Sequence, residues 1–198
     1  MSHGRIAVYT VNPELIGPVL EKGKAELPGL VASHPGLVRY GVFQPTPDRV
    51  LSLSAWDTRA QAEAAMETLM AWVRANAAAA FVSGENYVGE IVHTESASEE
   101  PATHGRVAIY RFKDGTADAV VEKARSGFAP ILRQQPGFVR YSLIKVDDAV
   151  GVSYSGWRSR AQAEQATAVA AAWVKENVAD ALVSVENHVG DLLWSARG

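Results

Sequence analysis

Residues 34–43 read HPGLVRYGVF and residues 135–144 read QPGFVRYSLI. The two stretches align without a gap at an offset of 101. The same offset pairs Arg5 with Arg106, Trp56 with Trp157, Trp72 with Trp173 and Gly89 with Gly190. Of the 88 positions in 5–92, 32 are identical to their partners in 106–193. The chain is therefore a tandem duplication: a first unit over 1–92, a linker over 93–105 and a second unit over 106–198. The linker HTESASEEPATHG is polar, acidic and contains proline, as surface connections are.

Each repeat parses alike. RIAVYTV (5–11) and RVAIYRF (106–112) are short β-branched and aromatic runs, which favour strands. Asn12-Pro13 then offers a helix N-cap with proline at the first helical position, and a helix of about 20 residues is expected. Pro28 and Pro130 should kink or end that helix. The shared Pro-Gly is a turn that opens a second strand (37–43, 138–145). RVLSLSAW (49–56) and VGVSYSGW (150–157) give a third strand. Thr58-Arg-Ala-Gln61 and Ser159-Arg-Ala-Gln162 fit a capping box and start alanine-rich helices, expected to break near Trp72 and Trp173. ENYVGEIV (85–92) and ENHVGDLL (186–193) close each unit as a fourth strand. The order β-α-β-β-α-β is the ferredoxin-like split unit, so the fold class is α+β.

The strands are apolar on both faces: Ile6 and Val8 point one way, Ala7 and Tyr9 the other. Helices cover one face. The second face needs a cover, and the other repeat supplies the nearest one. Two tandem ferredoxin-like units packed sheet to sheet, an intramolecular α+β barrel or pseudo-dimer, are expected; further pairing into a homo-oligomer is left open.

Composition narrows function. The formal net charge is −3, with no run of clustered Lys or Arg, so neither nucleic acid nor an anionic membrane is an expected partner. There is no cysteine, which removes disulfides, thiolate catalysis and Cys-ligated metals. No apolar run approaches the ~20 residues that span a bilayer. The N-terminus is short and polar for a signal peptide, and a cytoplasmic location is the expectation. No His/Asp/Glu spacing resembles a metal site, and no glycine-rich loop joins a strand to a helix as a nucleotide site would.

The Pro-Gly before strand two, the strand-three Trp followed by a capped alanine-rich helix (AWDTRAQAEAAM, GWRSRAQAEQAT) and the closing ENYVGE/ENHVGD resemble the antibiotic-biosynthesis monooxygenase-like family of the dimeric α+β barrels. The resemblance covers nearly the whole chain, twice. It implies cofactor-independent oxidation of phenolic polyketide-type compounds by O2, or a role as a cofactor-free cyclase. Haem-degrading relatives use a strand-one Asn and a His on the second helix. Here Tyr9 and Tyr110 occupy strand one and 59–80 and 160–181 contain no His, which argues against haem. No cofactor is expected.

Strand periodicity places Ser52, Ser54 and Trp56 on one face, and Ser153, Ser155 and Trp157 likewise. Two readings stand: a small cavity between sheet and helices with Trp as a flat wall for an aromatic ring, or a filled core in which the serines satisfy neighbours. Arg39 and Arg140 begin strand two and would hold a phenolate or carboxylate; the alternative is an ion pair with Glu85 or Glu186. Differences between the copies point elsewhere. Tyr87 becomes His188, and Leu53 becomes Tyr154. His188 would move protons as a neutral imidazole near pH 7, while Trp56 or Trp157 would flank the ring and Arg39 or Arg140 would favour the anion. His34, His93 and His104 fall in turns or the linker, and His3 in the tail. Three functions follow: a cofactor-independent monooxygenase acting on a small aromatic molecule with O2, a cyclase using His188 and Tyr154, or a non-catalytic ligand-binding or structural protein.

Overall fold

The computed structural model describes residues 2–198. Eight strands form: β1 (His3–Val11), β2 (Leu37–Thr46), β3 (Arg49–Trp56), β4 (Phe81–Ser96), β5 (His104–Phe112), β6 (Phe138–Lys145), β7 (Val150–Trp157) and β8 (Leu182–Arg197). Hydrogen bonding runs β1-β3-β2-β8-β5-β7-β6-β4 and closes, so the single chain has the topology of an eight-stranded antiparallel barrel built from two β-α-β-β-α-β halves. The expected α+β class and tandem arrangement are what the chain adopts.

Two compact units result. One holds residues up to Val88 together with Leu192–Gly198; the other holds Gly89–Asp191. The boundary falls inside β4 and β8 because both strands are twice the expected length, at 16 residues each. The start of β4 belongs to the first unit, and its end pairs with β6 in the second, from Glu90↔Lys145 to Ser96↔Arg140. The start of β8 pairs with β5 in the second unit, and its end belongs to the first. Each unit thus owns a strand end that its own repeat did not encode. Strand residues also replace much of the expected linker. His93 lies within β4 and His104 opens β5, both partly buried, and His3 opens β1 rather than trailing as a tail.

In the first unit, α1 (Ile16–Ala32) and α2 (Arg59–Asn76) cover the sheet. Their inward faces are narrow: Ile16, Gly23, Leu27 and Val31 on α1; Ala62, Ala65 and Leu69 on α2. The i, i+3, i+7 spacing of α2 is one helical stripe, and its alanines let the helix approach the strands closely. The other face of the sheet is buried too, at Ile6, Phe43 and Leu51.

Three helix expectations are corrected. Asn12 does not cap α1; its side chain accepts from the Glu14 amide at 2.9 Å in a turn, and the helix starts at Ile16. Pro28 neither ends nor breaks α1, which continues to Ala32, although proline has no N–H to donate within the helix. Neither α2 nor its counterpart α5 (Arg160–Asn177) breaks at Trp72 or Trp173. The capping serves half the expected role. Thr58 and Ser159 accept from the Gln61 and Gln162 amides at 3.3 Å. Both glutamine side chains lie instead against Gly36 and Gly137, where a Cβ would collide with them. Those glycines have φ of +78° and +74°, so the repeated Pro-Gly is required by backbone hand and by space together.

The second unit differs in its first helix. There α3 (Ala117–Lys123) passes through a π-helical turn (Ala124–Phe128) into α4 (Ala129–Arg133). A wider turn just before Pro130 relieves the clash of its ring with the preceding carbonyls.

Candidate functional site

The helix-facing side of the first unit's sheet carries a polar cluster. Arg5 is fully buried. Its guanidinium donates to Ser52 Oγ at 3.0 Å, to the Tyr9 hydroxyl at 2.8 Å and to Asn86 Oδ1 at 2.6 Å. Every one of these partners is neutral. A buried cation without a carboxylate is costly, and it is a standing attractor for an anion. Tyr40 sits beside Arg5 and Tyr9; burial pushes its hydroxyl well above the ordinary value of 10.0, partly offset by the Arg5 charge. Tyr40 therefore stays protonated and can act as a donor.

Above this floor lies a cavity of about 70 Å³ between the sheet and the two helices. Tyr9, Tyr40 and Ser52 form its polar end; Trp72, Phe81 and Trp194 wall it with aromatic rings. A buried water needs roughly 10–15 Å³ on this measure, so the space exceeds a single water several-fold. Gly23 lets α1 lie close to Trp194: a Cβ there would sit 3.4 Å from the ring. Trp72 is half-buried, and its Nε1 donates to Glu26 Oε2 at 2.7 Å, which holds the ring at the rim.

The second unit repeats the floor but not the space. Arg106 donates to Asn187 Oδ1 at 2.5 Å, and Tyr110 faces Ser153 Oγ at 3.3 Å. Burial, with the neighbouring Tyr110, likewise raises the Tyr141 hydroxyl. The cavity there is only about 20 Å³, room for about one water. Phe128 fills it, 5.2 Å from the Trp173 ring and 6.0 Å from Tyr141. Phe112 lies over Gly151, where no Cβ would fit.

The sequence candidates divide by sheet face. Ser52 lines the cavity and Ser153 holds the matching position. Ser54, Ser155, Trp56 and Trp157 share that side but lie deeper, in the core, and neither Trp lines either of these two cavities. Trp157 Nε1 donates to Ser155 Oγ at 2.9 Å, whereas Trp56 Nε1 and Ser54 Oγ find no hydrogen-bond partner. The remaining candidates face the other way. Arg39 pairs with Ala55 and Arg140 with Gly156, in register with Leu53 and Tyr154 rather than with Tyr40 and Tyr141. His188 stands opposite Val107, and its Nε2 lies 3.0 Å from Glu186 Oε1. Tyr87 donates to the Glu85 carboxylate. Sequence reasoning missed Arg5, Asn86, Tyr9 and Tyr40 as one cluster. The available signal was that Arg5, Tyr9, Tyr40, Ser52 and Asn86 are all identical at the 101-residue offset. Among the described residues, no three His, Asp or Glu side chains converge as metal ligands, and no helix is long and apolar enough to cross a membrane.

The profile of the family described as antibiotic biosynthesis monooxygenase matches residues 103–180. No curated protein matches the chain significantly. Among solved structures, a candidate monooxygenase from Lactobacillus acidophilus superposes with a TM-score of 0.75 at 6% identity, covering 99% of this chain and 96% of that one. An anthrone oxidase-like protein gives 0.70 at 16% identity, covering 99% and 93%. A chlorite dismutase variant from Candidatus Nitrospira defluvii gives 0.62 at 11%, covering 96% and 91%. At these identities the likeness is one of fold, and it extends over both repeats. The match to the antibiotic biosynthesis monooxygenase model is carried by the second unit, over 78 of the 198 residues, and the likeness over the rest of the chain is one of fold.

Proposed function

We propose that the chain is a cofactor-independent monooxygenase acting on a small phenolic aromatic molecule in the cavity of the first unit. The observation that carries this reading is an aromatic-walled cavity whose polar end, Tyr9, Tyr40 and Ser52, is backed by the buried Arg5 guanidinium, itself bonded only to neutral partners. The cavity lining contains no His, Asp or Glu to act as base. A guanidinium replaces one. From behind Tyr9 and Ser52, at ~8 Å and an effective dielectric of about 20, its attraction for a phenolate is about 2 kcal/mol, roughly thirtyfold in acidity. A phenol of ordinary pKa ~10 is then ionised in part above about pH 8.

The ionised ring is electron-rich enough to give electrons to O2. A carbon–oxygen bond forms at a ring carbon. The oxygen–oxygen bond then breaks as that carbon loses its proton, leaving a quinone carbonyl and one water. The protein contributes orientation between flat walls and a fixed positive charge. Arg39, Arg140 and His188 take no part in this reading, because they lie on the opposite face of their sheets.

The lack of a lining base also favours a second reading, in which the cavity binds an aromatic anion without turning it over. Oxygen uptake with a dihydroxynaphthalene decides. The oxygenase reading expects one O2 consumed per quinone formed, with the rate lost in Arg5→Met. Binding without uptake leaves the non-catalytic reading standing.

A further inference from the structure

The two units carry the same polar floor and differ in whether anything can reach it. Leu27 and Phe128 occupy matching positions, as do Glu26 and Gly127. In the first unit, Leu27 leaves the space above Tyr40 and Ser52 open, and Glu26 draws Trp72 to the rim. In the second, the π-helical turn ends on Phe128, whose ring packs between Trp173 and Tyr141. With no carboxylate at Gly127 to hold it out, Trp173 lies over that glycine, where a Cβ would sit 3.5 Å from its ring, and closes against Phe128. The wall contributed by the far strand end differs as well. Trp194 stands in the first unit where the second has His93.

We infer that the chain holds one ligand site, specific for a planar aromatic anion, in the first unit, and that Phe128 is the plug that closes the equivalent site in the second. This rests on the reading of the first cavity as a ligand site. It does not need the ligand to react with O2. The anion preference comes from Arg5, acting through the Tyr9 and Ser52 hydroxyls it holds, and the planarity from a space bounded by Gly23, Trp72 and Trp194. Arg106, Tyr110, Ser153 and Asn187 would supply the same recognition in the second unit if the plug were removed.

The test is isothermal titration of the full chain with salicylate under nitrogen, with salicylamide as the neutral counterpart. Salicylate should bind with a stoichiometry of one, and salicylamide at least tenfold more weakly. Leu27→Phe, which writes the second unit's residue into the first, should abolish binding. Phe128→Leu should raise the stoichiometry to two, and adding Arg106→Met to it should return the value to one. Circular dichroism melts identify folded variants, and the Leu27→Phe and Phe128→Leu arms are independent of each other. Two sites in the wild-type chain, no salicylate binding, equal affinity for salicylamide, or full binding by folded Leu27→Phe would each overturn the inference. So would a stoichiometry of one in folded Phe128→Leu. Salicylate binding without oxygen uptake on any phenol keeps the inference and removes the oxygenase. Oxygen uptake that persists in Leu27→Phe keeps the oxygenase and removes this site.

Discussion

The two repeats share their framework and diverge in their interiors. Both place an arginine on the first strand, a tyrosine four residues on, a serine on the third strand and an asparagine on the fourth. In one unit that floor looks into about 70 Å³, and in the other into about 20 Å³. Identity between copies therefore marks what is needed to build a floor. Usable space is set by a handful of differing residues, above all Leu27 against Phe128. One unit remains open while the other is packed solid. Close packing is the default of a protein interior, so the open one is the feature that calls for a function.

Four experiments test the contrast between the units. The largest effect tests sameness. Trp56 and Trp157 are both fully buried in the core of their units. Trp56→Ala and Trp157→Ala should each lower stability by about 3–5 kcal/mol in denaturant unfolding. A much smaller loss at either site would show that the unit collapses onto the void. Next comes the contrast between the buried arginines. Arg5→Met should weaken binding of an aromatic anion at least tenfold, the effect of losing a buried charge that lies behind Tyr9 and Ser52. Arg106→Met should leave that affinity unchanged and alter only the melting temperature. Equal effects on affinity would erase the functional difference between the units.

A smaller contrast lies in the tryptophan nitrogens. Trp157→Phe strands the Ser155 hydroxyl, whereas Ser54 already lacks a partner in the first unit. Trp157→Phe should therefore cost about 1 kcal/mol more than Trp56→Phe in paired unfolding curves. The smallest effect is alkaline. Burial raises the Tyr40 and Tyr141 hydroxyls above their ordinary value of 10.0. The unfolded chain ionises first, so the folded state holds more protons above that pH. The stability contributed by these tyrosines is fully present below pH 10 and is lost as pH rises beyond it. Tyr40→Phe with Tyr141→Phe should flatten the fall in melting temperature above pH 10.

Much of the framework was legible because it is local. Alternation in RIAVYTV and RVAIYRF, the Pro-Gly turns and the Thr58 and Ser159 caps are each decided within a few residues, and all appear in place. The helix interiors were less legible. Pro28 sits in an unbroken helix because packing of Leu27 and Val31 offsets one missing hydrogen bond. The site was barely legible. Arg5 and Tyr9 on β1 lie far along the chain from Ser52 and Asn86 and meet them only when β4, β1 and β3 assemble. Trp194 joins the same cavity because β8 runs on past its own unit.

By itself the sequence determined a duplicated β-α-β-β-α-β chain, since periodicity, turn chemistry and a gapless repeat depend only on neighbours along the backbone. Tertiary structure alone decided which side of each strand meets a cavity, which repeat supplies its walls and which is filled. Those outcomes depend on register and on volume summed over distant side chains. A leucine or a phenylalanine at one position means nothing until the residues packed around it are known.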